Sequence, residues 1–80
     1  MPKQPDIPDS PDLFKLFSST DAAIEYASHF PQPSLTALAI AVANLESGEF
    51  GFASELLYAI QELPDPIPDG LAYAILNLKP

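Results

Sequence analysis

Proline and glycine punctuate the stretch from Pro33 to Pro66 so tightly that it reads as a pair of helices and little else. Ser34 precedes the first apolar run, where its hydroxyl would accept from an unpaired backbone N–H and cap the helix. Gly48 closes that run, at the point where a left-handed residue commonly stops a helix. A second run of helical spacing ends at Pro64, which cannot continue a helix. The first helix, Leu35 to Glu46, carries no polar side chain between Thr36 and Asn44. Ala37, Ala39, Ala41 and Ala43 alternate there with Leu, Ile and Val, which permits close backbone approach. A helix apolar on every side must be covered on more than one, so this one is expected at the centre. The second helix, Phe52 to Leu63, is amphipathic: Ala53, Leu56, Leu57, Ile60 and Leu63 oppose Ser54, Glu55, Gln61 and Glu62.

The flanks follow the same logic. Pro2, Pro5, Pro8 and Pro11 recur every third residue, the period of a polyproline II helix, with Asp6, Asp9 and Asp12 on a second edge. Residues 1–10 therefore read as an extended Pro- and Asp-rich tail, either free or a docking strand for a proline-reading groove. A short turn of helix is expected next: Ser10 caps, Pro11 suits the first position, and Leu13, Phe14, Leu16 and Phe17 clamp it onto the domain. A helix from Asp21 to His29 starts at Thr20-Asp21, buries Ala23, Ile24, Ala27 and Phe30, and is closed by Pro31 and Pro33. The proline link 64–68 is stiff, and Asp69-Gly70 opens a last helix, Leu71 to Leu78. No stretch alternates with period two for long, so no sheet is expected. The fold class is all-α: four to five short helices as stacked antiparallel hairpins, in a single domain over 11–80 behind the tail.

Composition sets the functional limits. Eighty residues make one domain, whose folding buries only about 60% of the surface its unfolded chain exposes. No Cys is present, which excludes disulfides and thiolate metal sites, and there is no Arg and a single His. The net charge of −8, with Lys3, Lys15 and Lys79 as the cations, repels phosphate backbones and anionic membrane surfaces. Nucleic acid is therefore not an expected partner, and an electrostatic partner would be basic. The same charge also serves simply to keep an apolar domain in solution. Residues 1–12 hold four prolines and three acids, the reverse of a signal peptide, and Leu35 to Leu45 is too short an apolar run to span a bilayer. A cytoplasmic chain without membrane insertion is expected.

The hairpin resembles a tetratricopeptide repeat. Gly48, Phe50 and Ala53 stand at that family's turn spacing, Leu57, Ile60 and Leu63 follow at helical intervals, and Pro64 and Pro66 bracket the expected proline. The chain departs from the family at Ala37, where Trp is favoured, and at Asn44, where Tyr is favoured. The resemblance covers residues 34–66 and implies a surface that holds a peptide or protein, with no binding residue carried over.

Convergent polar chemistry is scarce. Glu25 and His29 lie four apart on one helix face, as a metal or acid–base pair would, but His29 at a helix end also complements the dipole. Asp65 and Asp69 flank the proline link, as a weak Ca²⁺ site or as turn residues. Gly48 and Gly51 lack the Lys or Arg of a phosphate cradle, and no Ser sits in a nucleophile motif. No cofactor and no catalytic residue is expected. Most aromatics should be core, but Phe50 and Phe52 straddle Gly51 and cannot easily face one interior. Phe50, Phe52, Tyr58, Tyr73 and Leu76 are the candidate partner-binding residues, unless the N-terminal helix folds back over part of them. The expected function is a non-catalytic interaction module, adaptor or accessory subunit that meets a protein partner or a second copy. The alternative is an acidic inhibitor or antitoxin that mimics nucleic acid against a basic protein.

Overall fold

The computed structural model describes residues 10–46 and 50–77. Four helices form among them: α1 (Thr20–Ala27), α2 (Pro33–Glu46), α3 (Phe50–Ile60) and α4 (Asp69–Leu76), with no strand among the described residues. The all-α expectation therefore holds. Gly48, with its expected role in the turn, lies outside the described residues, as do residues 1–9 of the tail and Leu78.

α2 is central. None of its described side chains is exposed, and it packs most extensively along α3 while α1 lies against both. The core is aliphatic: Ala37, Leu38, Ile40 and Ala41 of α2 meet Ala53, Leu56, Leu57 and Ile60 of α3, with Ala23 and Ala27 of α1 and Ile75 of α4 closing it. Each fully buried Leu or Ile here contributes roughly 1.5–3 kcal/mol relative to an exposed one. Asn44, buried among them, donates from Nδ2 to the Ile40 carbonyl at 2.8 Å, so its amide is not left unpaired. The aromatics contribute less than expected. Phe30 alone is buried among the described ones, Phe17, Tyr26, Phe50 and Phe52 are half-buried, and Phe14, Tyr58 and Tyr73 are exposed. Alanines on α1, α2 and α3 bring backbones close, and the remaining space suits Leu and Ile rather than rings.

Helix starts differ from the expected ones by a residue or two, for local reasons. The α1 cap is Ser19, whose Oγ accepts from the Ala22 N–H at 3.1 Å, rather than Thr20. Past Ala27 the chain tightens: the His29 and Phe30 N–H groups donate to the Tyr26 and Ala27 carbonyls at 3.2 and 3.1 Å. α2 begins at Pro33, whose missing N–H costs nothing in the first turn, so Ser34 is inside the helix and is not its cap. The Gln32 carbonyl accepts from the Thr36 N–H at 3.1 Å, and Gln32 itself adopts φ 55°, a left-handed backbone rarely seen outside Gly and Asn.

Ser34 is instead the target of a cap from far along the chain. Its backbone N–H donates to Asp65 Oδ1 at 3.2 Å, and its Oγ donates to the Asp65 carbonyl at 2.6 Å and to Oδ1 at 3.1 Å. Asp65 thus satisfies an orphan donor of the first turn of α2 and places a carboxylate at the positive end of its dipole. This fixes the α3–α4 link against the start of α2.

Residues 11–19 do not form the expected helical turn. Asp12 Oδ1 accepts from the Phe14 N–H at 3.1 Å and the Asp12 carbonyl from the Lys15 N–H at 3.2 Å, an isolated turn that goes no further. A short Asp side chain bonding to nearby backbone competes with helix growth, and a helix this short has too few bonds to offset nucleation. The segment is held instead as an extended strap on α1.

Candidate interaction surface

The strap is fastened at Tyr26. Tyr26 Oη accepts from the Asp12 N–H at 2.8 Å, and its ring lies 5.3 Å from Phe17 and 5.2 Å, edge-on, from Phe30. Lys15 Nζ stands 5.9 Å from the Phe17 ring centroid and 5.8 Å from that of Tyr26, within reach of a cation–π attraction. Leu13 and Phe17 turn toward the core, while Phe14 is 78% and Leu16 72% exposed. The expected clamping onto the domain is therefore seen for half of the apolar residues and absent for the rest.

Between strap, α2 and α4 lies an apolar cleft of about 340 Å³. Its floor is α2, through Leu35, Leu38, Ala39, Val42 and Ala43. Leu13 and Phe14 of the strap form one wall, and Leu71 of α4 the other. No polar side chain lines it.

The sequence-derived candidates occupy other surfaces. On α3, Tyr58 is 61% exposed, and Phe50 lies on the same helical ridge eight residues earlier, half-buried. Phe52 packs against the core cluster, so of the two rings astride Gly51 it is Phe52 that turns inward. On α4, Tyr73 is 70% and Leu76 38% exposed, three residues apart on one face. The cleft was missed from sequence because three separated segments build it. The signal available was the all-apolar α2, whose second face needed a cover.

The polar candidates hold other places. His29 Nε2 lies 3.7 Å from Glu25 Oε2 across one turn, on exposed or partly exposed side chains. Asp65 is occupied with Ser34, which gives it a structural part that neither turn chemistry nor a cation site anticipated. No cluster of metal-ligating side chains occurs among the described residues. Asp12, Asp21, Glu25, Glu55, Glu62 and Asp69 are exposed, and Asp65 is half-buried. Among the described residues no helix is long and apolar enough to cross a membrane.

Fold and surface together define a small all-helical chain with an aliphatic core and apolar residues left outward on the strap, α3 and α4. No family model, curated protein or solved structure matches it.

Proposed function

We propose that the chain is a non-catalytic protein–protein interaction module, an adaptor or small accessory subunit of a larger complex, working in the cytoplasm. The observation that carries this reading is the amount of large apolar side chain left in water by so small a domain. Phe14, Leu16, Tyr58, Leu71, Tyr73 and Leu76 are all exposed. Single apolar residues are ordinary on a surface, but this many large ones outward on the strap, α3 and α4 of so small a chain favour docking to a partner. The α2 cleft adds a concave element between two of these groups. An arrangement of the helices as stacked antiparallel hairpins, with residues 34–66 resembling a tetratricopeptide repeat, belongs to the same reading.

The test combines light scattering and apolar-dye fluorescence on the full chain at micromolar concentration. Self-association or dye binding is expected, and a variant with Phe14, Tyr58 and Tyr73 replaced by Ser should lose it while keeping its helical circular dichroism. A monomer that binds no dye, and whose behaviour the triple variant leaves untouched, would overturn the reading.

A further inference from the structure

We propose that the α2 cleft seats the apolar face of a cationic amphipathic helix belonging to a partner protein, which rests on the interaction-module reading and names its site and partner chemistry. The floor has the right period. Leu35, Leu38, Ala39 and Val42 are spaced i, i+3, i+4 and i+7, the ridge against which a second helix packs, over about two turns or ~10 Å of axis. Ala39 and Ala43 keep the α2 backbone near the surface, and helices approach closely where the contact side chains are small. Among the described residues, the cleft above this ridge is walled only by Leu13 and Phe14 of the strap and Leu71 of α4, with no residue of α1 or α3 in its lining. A small molecule is a poorer occupant, because such sites hold a few placed polar groups and no polar side chain lines this one.

Charge selects the kind of helix. Asp12 is exposed and directly precedes Leu13 of the strap wall. Lys15 is the one lysine among the described residues, and it is drawn over Phe17 and Tyr26. With a net charge of −8, a second copy of the chain would bring like charge to the cleft, whereas Lys and Arg on the polar face of a partner helix would complement the acidic charge of the chain as a whole. The acidic field would also speed encounter with such a helix.

Designed peptides of about four turns test this by fluorescence anisotropy against the full chain. One carries Leu on one face and Lys elsewhere, a second replaces Lys by Glu, and a third keeps Lys but replaces Leu by Ser. The Leu/Lys peptide should bind with a Kd on the order of micromolar and weaken as salt rises. The Leu/Glu and Ser/Lys peptides should each bind at least about tenfold more weakly, one for lack of charge complementarity and one for lack of an apolar face. A double variant, Phe14→Ser with Leu71→Ser, alters only exposed wall residues and should weaken Leu/Lys binding about tenfold, while Tyr58→Ser on α3 leaves it unchanged. Equal binding of any two peptides, an unaltered Kd in the double variant, or a dimer that the double variant dissolves would overturn the proposal. If the peptides fail while dye binding still depends on Tyr58 and Tyr73, the cleft assignment falls and the interaction-module reading stands.

Discussion

α3 and α4 are both short, both rich in Leu, Ile, Ala and Tyr, and yet the fold treats them oppositely. α3 buries Ala53, Leu56, Leu57 and Ile60 to within a per cent of complete, while α4 buries Ile75 and leaves Leu71, Tyr73 and Leu76 outward. Apolar content therefore does not decide burial here. Position does: α3 lies along the all-apolar α2, whereas α4 arrives after a proline link and touches α3 only lightly. Their ends differ in the same direction. The link into α4 is fixed by Asp65 on α2, but α4 itself starts at Pro68 without a side-chain cap. One helix belongs to the core and the other is an apolar surface tethered to it.

The largest effect expected from this contrast is on α3. Leu57→Ala should remove about 2–5 kcal/mol of stability, read as a lower urea midpoint with loss of all helices together. A small domain has few kcal/mol to spare, so partial unfolding at room temperature is within the expected outcome. Ile75→Ala, the matching deletion on α4, should cost about 2 kcal/mol, the low end for a buried Ile, and act locally, because its helix is thinly docked. Hydrogen exchange separates the two: amides of α4 should lose protection while those of α2 and α3 keep theirs. Equal loss across all helices would show that α4 is part of the core after all.

Asp65 lies between these extremes. Asp65→Ala strips the carboxylate cap from Ser34 and should cost about 1–2 kcal/mol, since a buried N–H loses its acceptor while the hydroxyl keeps only the residue-65 carbonyl. Asp65→Asn keeps an oxygen at that place and should recover most of it. The extra readout is α4 again: with its link held to α2 only through the Ser34 hydroxyl and the residue-65 carbonyl, its amides should exchange faster than in the Asn variant.

These three substitutions also mark what sequence could and could not convey. Existence and order of α1 to α4 are written locally, in Ser19, Pro33, Pro64 and Asp69 with the periodic apolar residues between them. The Ser34–Asp65 bond is not, because its partners lie 31 residues apart and capping rules read only the next three. Leu13, Phe14, Leu16 and Phe17 have helical spacing, but Asp12 closes a turn first and Tyr26 offers the segment a better fastening. Hydrophobicity points most of the aromatics to the core, whereas the alanines of three helices shrink that core to aliphatic size. Of the candidate site, Tyr58, Tyr73 and Leu76 were legible as exposed apolar residues and the cleft was not, since no local pattern spans strap, α2 and α4.

The smallest expected effect is the most discriminating. Tyr73→Ser changes a large apolar residue that is 70% exposed, so stability should move by no more than about 0.5 kcal/mol in either direction. The same change at a buried aromatic would cost several times as much. A ring 70% exposed on a lightly docked helix has no structural reason to be apolar among the described residues. If the urea midpoint stays fixed while dye binding or self-association falls, the apolar face of α4 works on something outside the fold. If stability instead drops by about 2 kcal/mol or more, Tyr73 is covered in solution by the chain itself. α4 would then differ from α3 only in how its covering is achieved.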